Sequence, residues 1–140
     1  MRGPQILFAL ALVLGGCRPA AMPMPDVFPA TVGVWHRVSV SDLAAAQAPD
    51  AVPAAGIELI RAASYEGPGK LDARVYQLTN TAVALDVMQR WRPAGDTVVF
   101  NSDRFFVVVK WSTAERKALQ EFVREVEKKF PKQPLGNEKP

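Results

Sequence analysis

Five segments of this chain have patterns typical of β-strands, and in the first and third of them residues alternate with a period of two. These segments are residues 32–40, 57–65, 70–78, 96–100 and 104–111. A Gly-Pro-Gly turn after the second segment predicts that it forms an antiparallel hairpin with the third. The last segment is apolar on both faces, which predicts a strand paired on both sides. The pattern therefore predicts an antiparallel sheet of about five strands.

Two other segments have the 3.6-residue period of amphipathic helices. The first follows Thr79 and Asn80, whose side chains are suited to cap a helix. Its apolar stripe consists of Ala84, Val87, Met88 and Trp91. The second follows Ser112 and Glu115, which have the spacing of a capping box. Its stripe consists of Leu119, Phe122, Val123, Val126 and Phe130.

The order strand, turn, strand, helix occurs twice, over residues 57–91 and 96–130. Two such β-β-α units predict one antiparallel sheet with both helices packed on the same face. Before the first unit, residues 41–47 fit a short capped helix that Pro49 stops. The predicted fold class is therefore α+β, with two main helices.

The amino-terminal residues follow neither period. Arg2 precedes nine consecutive apolar residues, 6–14, a run too short to cross a bilayer, which takes about 20 residues. The four residues that end this run resemble the lipobox of bacterial lipoproteins, and they are Leu14, Gly15, Gly16 and Cys17. That resemblance implies a lipoprotein signal peptide over residues 1–16, cut between Gly16 and Cys17, and a diacylglyceryl thioether on the Cys17 sulfur, with palmitate among the acyl chains of the anchor. The alternatives are a secreted protein with a stray cysteine and a cytosolic domain with a buried first helix.

Residues 17–30 contain four prolines, which block helices and ladders and predict a semi-rigid extended tether after the lipidated cysteine. A single α+β domain is then expected over residues 31–130, a size that buries an adequate core. Residues 131–140 are polar and contain proline and glycine, so a flexible tail is expected there. The chain is thus predicted to be a lipid-tethered domain in the bacterial cell envelope, facing outside the cytoplasm.

Charge and cysteine content limit the kinds of partner and site that this chain is expected to have. The formal net charge of +3 is too small for a nucleic-acid footprint, and no nucleic-acid partner is expected. Cys17 is the one cysteine, so its acylation leaves no thiol for a disulfide or a metal. The one histidine, His36, has no second ligand or nucleophile at a suitable spacing, and the carboxylates are scattered. No catalytic residue, metal site or cofactor is therefore predicted.

The local cluster best suited to a ligand is Arg90, Trp91 and Arg92. Two guanidinium groups beside an indole are suited to an anionic group or a headgroup. The alternative interpretation places Trp91 in the core and assigns both arginines to the helix carboxyl end, which favours positive charge.

The succession Trp35, Arg37, Tyr65, Tyr76 and the apolar run 105–109 before an amphipathic helix resembles an uncharacterised bacterial domain family. Members of that family are secreted or lipid-anchored, and the resemblance covers about residues 30–130. PsbP-like lipoproteins are a second, looser architectural resemblance. Neither resemblance implies an activity.

Three functional hypotheses follow. The first is a non-enzymatic, lipid-anchored binding or accessory module that contacts the membrane through Cys17 and an envelope protein through its sheet or residues 42–56. The second is a small hydrolase that works through carboxylates, since two facing carboxylates suffice for some hydrolytic reactions. The third is a structural lipoprotein that assembles with itself.

Overall fold

Six β-strands and two α-helices make up the part of the chain that a computed structural model describes, residues 24–92 and 94–130. The strands are β1 Thr31–Val32, β2 Trp35–Leu43, β3 Ile57–Glu66, β4 Lys70–Leu78, β5 Thr97–Ser102 and β6 Phe105–Ser112. The helices are α1 Thr81–Arg90 and α2 Arg116–Glu127. The predicted α+β class is confirmed, with one more strand than expected because the chain reverses at Gly33, whose φ of 57° suits glycine.

The strands form one antiparallel sheet in the order β1-β2-β3-β4-β6-β5. Strand β6 lies between β4 and β5, as its two apolar faces predict. The turn between β3 and β4 passes close to the turn between β1 and β2, and a Cβ added to Gly67 would lie 2.7 Å from the Val34 carbonyl oxygen. Strands β5 and β6 are joined by a two-residue turn in which Asp103 adopts a φ of 52°.

One face of the sheet, here called the closed face, is covered by α2. Its core joins Trp35, Tyr65 and Val107 to the helix residue Phe122. The Phe122 ring centroid lies 5.0 Å from that of Tyr65 and 6.2 Å from that of Trp35. The Trp35 indole N–H also donates to the Ala118 carbonyl oxygen of α2 at 3.1 Å. Packing and hydrogen bonding therefore fix α2 to the first strands of the sheet.

The other face, here called the cleft face, carries α1. Val87 of this helix packs with Ile60, Tyr76 and Phe106, which are all buried. Phe106 lies on the opposite side of β6 from Val107, so the two cores are separated by the sheet.

The β-β-α order of both units is confirmed, but the expectation that their helices share one face is wrong. The hairpin β3-β4 and the hairpin β5-β6 meet through an antiparallel β4-β6 pair. A two-fold rotation that exchanges such neighbours leaves both helices on one face, whereas α1 and α2 lie on opposite faces. The two units are therefore not related by that rotation.

Two predicted helix starts have different outcomes. Asn80 caps α1, and its side-chain oxygen accepts from the Val83 N–H at 3.0 Å. The capping box at 112–115 is wrong, because Ser112 continues β6 opposite Lys70 and α2 has no side-chain cap at Glu115. The helix predicted at 41–47 is reduced to one 3-10 turn, Ala45–Gln47, because β2 extends to Leu43.

The packed part of the chain begins earlier than the expected boundary at residue 31. Val27 and Phe28 are buried in the core of the closed face, and the Pro29 carbonyl accepts from the Tyr65 hydroxyl at 2.8 Å. Apolar side chains within a proline-rich segment thus pack against the sheet, so the tether cannot include all of residues 17–30. The predicted signal peptide, Gly16, Cys17 and the tail over 131–140 lie outside the described residues.

Candidate functional site

The cleft face is covered only in part, and its uncovered part forms a cleft of about 600 Å³. The floor consists of neighbouring positions on β3, β4, β6 and β5, because residues on one face of adjacent strands lie side by side. Clefts of roughly 300–1,000 Å³ are the usual size for small-molecule sites. The cleft is therefore the candidate site of the described part of the chain.

The centre of the floor is a row of three cross-strand neighbours, Ala62, Arg74 and Val108. Alanine and valine are short and apolar, and Arg74 between them is exposed and lines the cleft. Arg74 forms no ion pair with any residue between 24–92 or 94–130. A planar cation with five donors over apolar neighbours is suited to bind a carboxylate, sulfonate or phosphate.

A second row beside the first is polar. It places Asp72 between Ser64 and Lys110, and the Ser64 hydroxyl donates to the Asp72 carboxylate at 2.6 Å. The Lys110 ammonium lies 4.0 Å from the Asp96 carboxylate, and both side chains are largely exposed. Such an exposed ion pair contributes little, so Lys110 remains available to a second acidic group in the cleft.

Two rims bound the cleft. One is the 3-10 turn at Gln47 and the following Pro49, in which the Gln47 side chain accepts from the Ala44 N–H at 3.0 Å. The other is Trp91, whose ring packs on Phe106 with centroids 5.3 Å apart. The indole N–H of Trp91 is buried and has no acceptor among the described residues.

The structure places the predicted cluster in three environments. Trp91 lines the cleft, as its candidate role requires. Arg90 forms an ion pair with Asp86 at 3.1 Å on the exposed side of α1. Arg92 donates to the Gln89 carbonyl oxygen at 3.3 Å, which serves the helix carboxyl end. The two arginines therefore do not join Trp91 in the cleft.

The residues that do line it, Arg74 and Lys110, were missed by sequence reasoning. Their signal is that each is a cation within a strand whose neighbours are apolar, at a position that shares a face with Tyr76 or Val108. That signal requires the register of β4 and β6, which pairs Arg74 with Val108. Sequence periodicity does not supply this register.

The remaining candidates form no site in the described part of the chain. His36 is exposed on β2 opposite Glu66 and Thr31. No group of three or more His, Cys, Asp or Glu residues within 24–92 and 94–130 is placed to hold a metal ion. None of the described helices is long and apolar enough to cross a membrane.

Comparison with known proteins finds no matching family model, no matching curated protein and no matching solved structure.

Proposed function

We propose that this protein is a lipid-anchored binding module of the bacterial envelope, whose cleft holds an anionic ligand with an apolar body. The observation that carries the proposal is Arg74, a cation without an ion-pair partner in the described structure, on the floor of a ligand-sized cleft. Arg74 is exposed in the open cleft, so its guanidinium is accessible to a bound anion, and a hydrogen bond between charged groups is stronger than one between neutral groups.

The apolar part of the ligand follows from the rest of the lining. Ala62, Val108 and the ring of Trp91 offer surface to a hydrocarbon or aromatic group. Lys110 lies diagonal to Arg74 across the β4-β6 pair, so a second acidic atom has a partner one position along the floor. The ligand class is therefore an amphipathic anion.

The number of acidic residues that line the cleft favours ligand binding over hydrolysis as its function. Asp72 is the one carboxylate that lines the cleft in the described part of the chain, and Ser64 donates to one of its oxygens. Hydrolysis by carboxylates requires two that face each other. The arrangement therefore supports recognition of a ligand.

The envelope location rests on Leu14, Gly15, Gly16 and Cys17 of the sequence. In growing bacteria that express the full chain, labelled palmitate should enter the wild-type protein and should be absent from Cys17→Ser. The variant should also leave the membrane fraction. Membrane retention of Cys17→Ser equal to that of the wild type would contradict the lipid anchor. It would not bear on ligand binding by the cleft.

The cleft is tested with the mature chain and two dyes of similar shape, anionic 8-anilinonaphthalene-1-sulfonate and uncharged N-phenyl-1-naphthylamine. A hydrogen bond to a charged group contributes about 1.5–3 kcal/mol, so Arg74→Ala should weaken binding of the anionic dye at least tenfold. Binding of the uncharged dye should change by less than twofold.

Arg61→Ala is the matched control, because Arg61 pairs with Asp42 at 2.8 Å outside the cleft. It should leave both dyes unaffected, and Arg74→Lys should give an intermediate loss, since lysine keeps the charge and loses the planar fork. Equal affinities of the wild type and Arg74→Ala for the anionic dye would contradict the proposed site.

A further inference from the structure

Strand β5 ends the sheet, and its outer edge is free in the described structure. The Trp111 N–H donates to the Asp96 carbonyl oxygen, which fixes the alternation of hydrogen-bonded pairs along β5 and β6. By that alternation Val98 and Phe100 turn their peptide groups toward β6, whereas Val99 and Asn101 turn theirs outward. No described backbone group bonds to the outward N–H and C=O of Val99 and Asn101.

An apolar groove runs between this edge and α2. Two adjoining cavities of about 340 and 230 Å³ form it, and they share Val98, Leu119 and Gln120. Trp111 lies at one end of the groove and Val123 toward the other. Helix α2 follows β6 and returns beside it, so it runs in the same direction as β5, and groove and strand edge lie side by side.

The free edge of β5 and the groove beside it together fit an extended peptide. Only another strand presents N–H and C=O groups at the spacing of Val99 and Asn101. Every second side chain of such a strand falls on the side of α2, about 6.8 Å from the next. An apolar side chain at one of these positions enters the groove between Val98 and Val123.

The charges of the groove select the composition of the peptide. Arg116 and Arg124 line it and are exposed, and neither forms an ion pair within the described ranges. They are eight residues apart on α2, which is about 12 Å along the helix axis. Four residues of extended strand span roughly 13 Å. Two acidic residues at positions i and i+4, with an apolar residue midway between them, therefore match the spacing of the two arginines. Glu127 is the one acidic residue of the lining.

The opposite edge of the sheet lacks these features. That edge consists of the two-residue strand β1 and, beyond it, of β2. Strand β2 has an irregular register between Arg37 and Ser39, and a bulge of this kind bends an edge away from pairing. The pocket beside it is polar, and its Arg61 already pairs with Asp42. The docking features are thus confined to β5.

We propose that an acidic, extended segment of a partner protein binds to β5 as a seventh strand, with an apolar side chain in the groove and acidic side chains on Arg116 and Arg124. This surface is separate from the cleft, because the groove lies on the closed face.

The test uses the mature chain and a fluorescent peptide with Glu-Thr-Val-Thr-Glu at its centre, measured by fluorescence anisotropy. A second peptide has glutamine in place of both glutamates. The wild type should bind the acidic peptide at least tenfold more tightly than the neutral one. The double variant Arg116→Gln and Arg124→Gln should remove that preference, because it removes both positive charges of the groove. It should still fold, since both side chains are exposed.

Val99→Pro removes one outward N–H, and proline is tolerated at a strand edge where the N–H faces solvent. Val99→Pro should weaken binding of the acidic peptide at least tenfold, while Val99→Thr should change that affinity less than threefold. The arginine variant keeps the test decisive if Val99→Pro does not fold. Equal binding of both peptides to the wild type would overturn the proposal.

Other occupants give distinct results. If deletion of residues 132–140 raises peptide affinity more than tenfold, the carboxyl tail of the same chain fills the groove and the proposal is overturned. If light scattering shows a dimer that Arg116→Gln with Arg124→Gln dissociates, a second copy occupies the edge and the proposal is likewise overturned. A monomer whose affinity is unchanged by the deletion supports it.

Discussion

The two faces of the sheet contain similar residue types, but the indole N–H of the tryptophan on each face differs in whether it has a described acceptor. On the closed face the Trp35 indole donates to a carbonyl oxygen of α2, and Phe122 packs on two aromatic rings. On the cleft face the Trp91 indole N–H has no acceptor among the described residues, and Arg74 has no ion-pair partner there. The comparison indicates that the closed face supplies most of the stability, and it places the side chains of the proposed ligand site on the cleft face.

The largest effect is expected from Phe122→Ala, because this side chain is fully buried at the centre of the closed face. Loss of a buried phenylalanine costs about 3–5 kcal/mol in free energy of unfolding. Val87→Ala truncates a smaller but equally buried side chain on the cleft face and should cost about 2 kcal/mol. Urea denaturation measures both. A greater loss from Val87→Ala would reverse the assignment of stability to the closed face.

The response to high pH should also come from the closed face. Burial raises the pKa of Tyr65 to about 12, against the opposing effect of the Arg37 guanidinium. Because this folded-state pKa exceeds the unfolded value of about 10, the neutral phenol stabilises the fold below pH 10 and that contribution is lost between pH 10 and 12. Thermal unfolding across this window should show a fall in Tm that Tyr65→Phe reduces. An unchanged pH profile in the variant would rule out Tyr65 as its source.

One substitution can be compared directly on both faces. Trp35→Phe removes a donor and leaves the Ala118 carbonyl oxygen without that partner, at a cost of about 1–3 kcal/mol. Trp91→Phe removes an N–H that has no acceptor in the described structure and keeps an aromatic ring beside Phe106, so it should cost less than about 1 kcal/mol. Chemical denaturation of the two variants in parallel decides the point, and equal losses would mean that the indole of Trp91 has an acceptor after all.

The smallest expected difference concerns the starts of the two helices. Asn80→Ala removes the cap of α1 and should cost about 1 kcal/mol. Glu115→Ala should cost less than about 0.5 kcal/mol, since Glu115 makes no capping hydrogen bond at the start of α2. Thermal unfolding of each single variant provides the measurement. A larger loss at Glu115 would restore the capping role that the sequence predicted for its segment.

Local sequence patterns predicted those features that depend mainly on nearby residues. The two apolar faces of β6 placed it between two strands, and Asn80 placed the start of α1. The direction in which each helix leaves its hairpin depends on packing across the whole sheet, so the side occupied by α1 was not available from periodicity. Ser112 shows the same limit, since pairing with Lys70 prevailed over a local cap.

The candidate site was predictable only in part. Trp91 stood out in the sequence because two guanidinium groups beside an indole are suited to an anionic group, and it does line the cleft. Arg74 is one cation within an ordinary alternating strand, and its importance arises from its neighbours Ala62 and Val108 on two other strands. Cross-strand neighbours are a property of register, and register is set by the whole sheet.

The hydrogen bond from Trp35 to Ala118 joins residues 83 positions apart in the sequence. The closed face therefore combines the beginning and the end of the domain, and its core cannot form until α2 has been synthesised. Contacts of such long sequence separation slow folding, because the chain loses loop entropy before the contacts form. A chain stopped before α2 should remain sensitive to proteases, with the aromatic face of its sheet exposed to water. The last helix to be synthesised is thus the one that buries the aromatic core of the closed face.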